Sequence, residues 1–301
     1  MVRVLASDGM DKTAVKALEE AGYEVVQQFY DAGQLKEQVK EFDVLVVRSA
    51  TKVRKDIIDC AAAAGRLKLI IRGGVGMDNI DVAYARDKGL TVTNTPSASS
   101  ASVAELTIAH MFALSRFLYI SNVTMREGKW EKKAYKGVEL SGKTLGIIGM
   151  GRIGLEVAKR ADALGMTVLY TSRHKKDLPD YEYTTLEDLL GRCDYVSLHM
   201  PAREDGQPLL DAEKIALMKD GAFLINVARG SLVDTSALCD ALDDGRLSGA
   251  ALDVYTEEPC TDERLLHHPK VSLTPHIGAS TKEAQKRIGQ ETVQIIRGMF
   301  G

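Results

Sequence analysis

Four ionisable side chains lie just past short apolar runs: Arg229 in LINVARGSLVD, Asp253 and Glu258 in ALDVYTEEP, and His276 in LTPHIGAST. If those runs are parallel strands, their carboxyl ends are where an open α/β sheet binds ligands, and the four side chains could converge at one crevice. A histidine beside a carboxylate is equipped as a general acid/base whose imidazolium is favoured. An arginine held nearby can grip a carboxylate through two hydrogen bonds and polarise the adjacent carbonyl. Spacing alone leaves a plainer reading open, with Arg229 as surface charge, Glu258 as a loop acid and His276 as a satisfied turn residue.

A second motif gives the chemistry a direction. GIIGMGRIG ends an apolar run and opens a helical pattern through EVAKRADALG. Gly149 permits a tight turn, Gly151 lets backbone approach a pyrophosphate, and Gly154 allows close helix packing. The helix N-terminus then offers free N–H groups to phosphate. By itself GxGxxG is weak; strand, turn and helix in succession make it a dinucleotide-binding signature. Such folds usually place an acid for the ribose 2′-hydroxyl of NAD near the end of the next strand. Here that position, eighteen residues past Gly154, is Ser172, followed by Arg173, His174, Lys175 and Lys176. A carboxylate would repel the 2′-phosphate of NADP, whereas Ser172 does not and Arg173 offers a planar charged fork. The expected cofactor is NAD(P), with NADP(H) favoured over NAD(H). The alternative is a solvated strand exit in which Ser172 still bonds the ribose of NAD.

These residues need a scaffold, and short apolar runs alternate with helical patterns along most of the 301 residues. VRVLAS, YEVVQQF, DVLVVRS, LKLIIRGG and LTVTNTP form one series of strand candidates. KTLGIIGMG, MTVLYTS, DYVSLHMP, AFLINVARG, LSGAALDV and VSLTPH form a second. DKTAVKALEEAG, after the first run, sets Val15 and Leu18 on one helix face and ends in Gly22 as a C-cap. Repeated βα units imply parallel sheets covered by helices on both faces. Between the two series runs a long helical stretch, SASVAELTIAHMFALSRFLYISNVTMREGKW, with a looser tail, EKKAYKGVEL. His110 on it reads as a core or interface residue, and His267 and His268 as members of a polar loop before Pro269. The fold class is α/β with two doubly wound parallel-sheet domains, the break falling near Asn94 to Pro96.

With 45% hydrophobic and 27% charged residues and a net charge of −3, the chain reads as globular and without a polyanion-binding surface. Four scattered cysteines without CxxC spacing argue against a zinc site or disulfide framework, and no metal is expected. No apolar run approaches the roughly 18 residues of a membrane span. The first residues enter a strand pattern with no signal peptide, so a reduced, cytoplasmic protein is expected.

Taken in order, GKTLGIIGMGRIG, LHMP, LINVARGSLVD, ALDVYTEEP and LTPHIGAST closely resemble the motifs of the D-isomer-specific 2-hydroxyacid dehydrogenases. The resemblance runs along essentially the whole chain. It implies a Rossmann nucleotide domain, 96–276, inserted into a flavodoxin-like substrate domain made of 1–95 and 277–301. The hinges would lie near 94–97 and 276–280, and the helix TKEAQKRIGQETVQIIRGMF would return to the first domain. The resemblance further implies Arg229 as anchor of the substrate carboxylate, His276 as proton donor and acceptor, and Glu258 as its partner, orienting the ring and favouring its protonated form. On the cofactor side it implies Val75, Gly149, Gly151, Arg152, Ile153, Gly154, Ser172, Arg173, His199, Pro201, Val227, Ala228, Asp253, Gly278 and Ala279. Among these, Asp253 would meet the nicotinamide carboxamide.

VVRSATKV and IIRGGVGMDNID resemble the substrate loops of the phosphoglycerate-dehydrogenase branch of that family. The resemblance implies that Arg48 and Arg72 face a substrate phosphate, with Ser49, Gly73, Gly74 and Val75 in the same loops and the N–H groups of 73–76 receiving the carboxylate. Paired, always-charged donors suit a dianion; the plainer reading of Arg48 is an exposed strand-end charge. NTPSASSASVAELTIA and GKWEKKAYKGVELSGKTLG match the same branch and imply a homodimer, whose arm around Lys132 and Lys133 would bring a basic group to the partner's substrate site. Because the chain stops at Gly301, the serine-sensing regulatory domain of many relatives is expected to be absent. The expected reaction is oxidation of 3-phospho-D-glycerate to 3-phosphooxypyruvate, a step of L-serine biosynthesis. The alternatives are an NADPH-dependent hydroxypyruvate or glyoxylate reductase, with Arg48 unused, and a nucleotide-sensing, corepressor-like binding dimer. Neither nucleic acid nor membrane is an expected partner.

Overall fold

The computed structural model describes residues 1–301. The chain divides into two compact units, 1–99 with 279–301, and 100–278. The first crossing therefore lies a few residues beyond the break read near Asn94 to Pro96.

In the first unit, β1 (Arg3–Ala6), β2 (Glu24–Val26), β3 (Val44–Val47), β4 (Leu69–Arg72) and β5 (Thr91–Asn94) form one parallel sheet in the order β2-β1-β3-β4-β5. The order reverses between β1 and β3, which makes their carboxyl ends the switch point where such sheets bind ligands. Helices on both faces leave no side of a central strand to water, hence VLVV with all four residues of β3 buried. The connecting helices are α1 (Lys12–Glu19), α2 (Ala32–Gln38), α3 (Lys55–Ala64) and α4 (Val82–Asp87). α1 starts at Asp11, whose carboxylate accepts the amides of Thr13 and Ala14 and so satisfies two of the orphan donors of the first turn.

The second unit opens with α5 (Ser100–Arg116) and α6 (Leu118–Arg126). Then come β6 (Thr144–Ile148), α7 (Arg152–Ala163), β7 (Thr167–Thr171), β8 (Glu182–Tyr183), α8 (Leu186–Arg192) and β9 (Tyr195–Leu198). The series ends with α9 (Ala212–Leu217), β10 (Ala222–Asn226), α10 (Thr235–Asp243), β11 (Leu247–Leu252), α11 (Glu263–Leu266) and β12 (Val271–Leu273). All seven strands are parallel, in the order β12-β11-β10-β9-β6-β7-β8. This is the doubly wound order, with its switch point between β6 and β9. Every apolar run quoted above is a strand; β8, two exposed residues at the sheet edge, carries no such run.

The long helical stretch is not continuous. Phe117 adopts φ 54°, in the left-handed region, and α5 and α6 diverge by 63° there. Its ring packs against Tyr135 with centroids 5.9 Å apart. Just before the break, Ser115 Oγ lies 2.7 Å from the buried Tyr195 hydroxyl. Tertiary packing thus overrides a helical sequence pattern at one residue.

The chain returns to the first unit with α12 (Lys282–Phe300). Its Gly289 sits so close to α1 that a Cβ there would lie 2.6 Å from that of Ala14. Val293 and Ile296 join Val4, Val44 and Ile71 in the same buried cluster.

Candidate active site

β6 runs into Gly149, whose φ of +102° suits glycine alone, and a Cβ there would lie 2.4 Å from the His199 carbonyl oxygen. Backbone therefore meets backbone at the switch point. A Cβ on Gly154 would come 2.3 Å from the Gly149 carbonyl oxygen, so α7 starts flush against the turn. Gly151 has nothing within 4 Å of such an atom, and no side chain caps the first turn of α7. Open N–H groups at a positive dipole end are a phosphate site. Arg152 is the exposed first residue of α7, and Ile153 packs partly into the core.

A cleft of about 910 Å³ opens at this turn, lined by 149–151, 171–174, 176 and 199–205, Pro201 among them. His199 Nε2 lies 2.8 Å from Ser197 Oγ, while its Nδ1 is buried with no partner. Burial pushes the ring's pKa down to about 3, so it is neutral. A buried ring nitrogen left unsatisfied calls for a ligand group, and together with the open glycine turn it fits a bound dinucleotide. Ser172 donates its hydroxyl to the His174 carbonyl at 2.7 Å, and residues 173–176 are exposed. The cleft also holds Glu204 and Asp205, the latter paired with Arg203.

The loop after β10 is held by Asn226, whose amide nitrogen donates to the Arg229 carbonyl at 2.8 Å and whose oxygen accepts the Ala228 amide at 3.1 Å. Val227 and Ala228 are buried, and Arg229 is half-buried. A Cβ on Gly230 would lie 1.9 Å from the Tyr255 carbonyl carbon, so the loops after β10 and β11 also pack backbone on backbone. Glu258, on the second loop, accepts the Tyr255 amide at 3.2 Å and meets His276 Nδ1 at 2.8 Å. Burial would raise the Glu258 carboxyl, but the bond from His276 and the charges of His276 and Arg229 outweigh it and hold the group below the usual carboxylate range. His276 itself adopts φ 52°.

Asp253 is 1% exposed, with its carboxylate turned to its own chain. It accepts the Thr274 hydroxyl at 2.6 Å and the amides of Ile277 and Gly278 at 2.8 Å each. In this structure the carboxylate clamps the segment carrying His276.

In the first unit, Asp8 Oδ2 accepts the Arg48 amide at 2.6 Å and the Thr51 amide at 3.1 Å. Asn79 donates to both their carbonyls at 2.7 Å. This fixes the loop after β3, with Ser49 exposed upon it. The Arg48 stem would meet a Cβ on Gly73 at 3.6 Å, and the Arg72 guanidinium lies across Gly74, with Nη1 donating to the Gly73 carbonyl at 3.3 Å. The Arg48 stem and the Arg72 guanidinium thus both lie against one glycine loop. Val75 is exposed beside them, and Ala279 accepts a bond from the Gln285 side chain.

Residues 108–278 match the model of the D-isomer specific 2-hydroxyacid dehydrogenase NAD binding domain. The chain belongs to the D-isomer-specific 2-hydroxyacid dehydrogenases. It is 47% identical over 300 residues to a hydroxypyruvate reductase of Thermotoga maritima, covering 98% of this chain and 97% of that protein. To a D-3-phosphoglycerate dehydrogenase of Methanocaldococcus jannaschii it is 44% identical over 307 residues, covering 99% of this chain but 58% of the relative. A solved structure from Thermus thermophilus superposes with a TM-score of 0.90 at 37% identity, covering 99% of this chain and 97% of that one. The protein is an NAD(P)-dependent D-2-hydroxyacid dehydrogenase.

Several residues that shape this dehydrogenase's loops have no role assigned from the sequence motifs. Asp8, Asn79 and Asn226 act through bonds to backbone, and their only trace in sequence is a short polar side chain at a strand end or in a loop. Glu204 and Asp205 line the same cleft as Ser172, and their place just after LHMP is the signal that points to them. His268, expected in a polar loop, is only 9% exposed, its Nε2 lying 3.2 Å from Asp243. Its exposed neighbour His267 pairs with Glu263.

Proposed function

We propose that the enzyme interconverts 3-phospho-D-glycerate and 3-phosphooxypyruvate, with Arg48 and Arg72 taking the phosphoryl group. The supporting observation is that the Arg48 stem and the Arg72 guanidinium both lie against the Gly73–Gly74 loop. Two permanent charges on a loop of small residues suit a dianionic group.

The nicotinamide, when bound, supplies the hydride acceptor for C2. His276 takes the proton of the C2 hydroxyl as the C2–H bond breaks, and returns it in the reverse direction. Its Nδ1 is committed to Glu258, so the proton passes through Nε2. Glu258 holds the ring's orientation through that bond. Arg229 grips the substrate carboxylate and stabilises negative charge on the C2 oxygen. At the other end of the cofactor, position 172 carries no acid while Arg173 and Lys176 line the cleft, and this supports a preference for NADP(H).

A homodimer is part of the same proposal. Leu118, Val123, Met125 and Trp130, on α6 and the arm after it, are 54%, 49%, 53% and 80% exposed. So large an exposed apolar set supports an interface there. Lys132 and Lys133 are exposed on the same arm.

Hydroxypyruvate reduction is the second reading, favoured by the match along nearly the full length of the Thermotoga reductase. The two oxo acids differ only by the phosphoryl group on O3, so the arginines decide between them. Arg48→Ala should raise KM for 3-phosphoglycerate about tenfold or more, as loss of a charge-assisted bond does, and spare hydroxypyruvate. Equal effects on both substrates, with hydroxypyruvate the better one for the unmodified enzyme, would establish the reductase instead.

A further inference from the structure

His110, on α5, is 3% exposed, and nothing in the proposed reaction uses it. Its Nε2 lies 3.0 Å from Thr274 Oγ1 and its Nδ1 3.3 Å from Ser272 Oγ. Thr274 donates its own hydroxyl hydrogen to Asp253 Oδ1 at 2.6 Å. A hydroxyl has one hydrogen, so towards His110 Thr274 can only accept, and the ring must carry its hydrogen on Nε2. Nδ1 is then a lone pair that takes the Ser272 hydroxyl. One tautomer of the neutral ring satisfies every partner. Burial disfavours the charged ring, against a smaller opposing pull from Asp253.

At its far end this chain of bonds reaches the acid/base candidate. Asp253 accepts the amides of Ile277 and Gly278, the two residues after His276. A residue with a side chain keeps a positive φ like that of His276 only where its surroundings hold it there. Two amides pinned to one buried carboxylate do so, and the bond from the His276 amide to the Thr274 carbonyl at 3.0 Å closes the turn.

We propose that His110 is a positioning residue for the reaction: through Thr274 and Asp253 it fixes the segment that presents His276, without touching a ligand. This rests on the reading of His276 as the acid/base. The experiment compares His110→Leu, which removes the donor at similar bulk, with His110→Gln, which keeps an N–H near the position of Nε2. Steady-state reduction of hydroxypyruvate by the full-length enzyme is measured beside thermal unfolding. His110→Leu should lower kcat about tenfold, the scale of one lost bond to a charged network. KM for the cofactor should stay within about twofold, because the lost contact lies on the acid/base side. His110→Gln should recover most of kcat. Thr274→Val should reproduce the loss, and the double variant His110→Leu with Thr274→Val should be no worse than either single one. Unchanged kcat in His110→Leu, a glutamine no better than leucine, or losses that add would overturn the proposal. If His110→Leu does not fold, Thr274→Val and His110→Gln decide the matter: a loss in the first and near-normal kcat in the second support the proposal, and any other pattern overturns it. His276→Ala is the control. A severe loss there upholds the acid/base reading and leaves the His110 variants to decide the positioning role, whereas near-normal turnover overturns both readings.

Discussion

Glu258 shows how much one side chain can tell. Its carboxyl is held below the ordinary range by the bond from His276 and by the charges around it. It therefore stays ionised as pH falls through the usual carboxylate range, and on the acid side the Glu258 anion is lost only below that range. Glu258→Gln keeps the size of the side chain and removes the anion that His276 Nδ1 meets at 2.8 Å. In that variant kcat for reduction should fall while KM for the cofactor stays nearly unchanged, and a wild-type kcat would count against the pairing. The proposed NADP(H) preference rests on another residue. Ser172→Asp should shift the kcat/KM ratio towards NAD through ribose bonding and repulsion of the 2′-phosphate. A strong preference for NAD in the unmodified enzyme, with Arg173→Ala leaving NADP kinetics alone, would reduce the basic run to surface charge. At this scale, what sequence makes legible is residue type at a strand exit. The clamp on Asp253 is not legible there, because its donors come from residues more than twenty positions away.

Elements are more legible than contacts. Runs such as DVLVVRS and AFLINVARG are continuous and β-branched because both sheet faces are covered, and each is a strand here. α5 and α6 show the opposite case: nothing in ALSRFLYI announces a break, and the left-handed Phe117 exists because its ring and the preceding turn are held by Tyr135 and Tyr195. The same physics makes the loops after β10 and β11 a single object. Gly230→Ala would put a methyl group 1.9 Å from the Tyr255 carbonyl carbon, so the loops must part. The shift should cost roughly 1–3 kcal/mol of stability, as overpacking does. Displacing Arg229 from the Glu258 loop should lower kcat by up to about a hundredfold, with cofactor affinity nearly intact. Wild-type kcat and melting temperature would mean that the two loops move independently.

For the whole molecule, the sequence pattern is enough to separate two parallel sheets, since strand-forming runs fall into two series around one long helical stretch. Association is the property that individual residues do not reveal. If α6 and its arm carry the interface, sedimentation should give twice the chain mass, and Met125→Asp together with Trp130→Asp should give monomers. A monomeric unmodified enzyme would remove the homodimer from the proposal. The order of the units along the chain matters as well, because the ribosome delivers one of them in two instalments. Residues 100–278 arrive as a continuous stretch, whereas the first unit waits for 279–301. Until α12 emerges, the cluster that Val293 and Ile296 complete over Val4, Val44 and Ile71 stays open. At about 5–20 residues per second, the intervening segment keeps that apolar face uncovered for roughly 10–40 s. During synthesis the inserted unit can fold first, and the apolar face of the other unit is covered only when α12 docks.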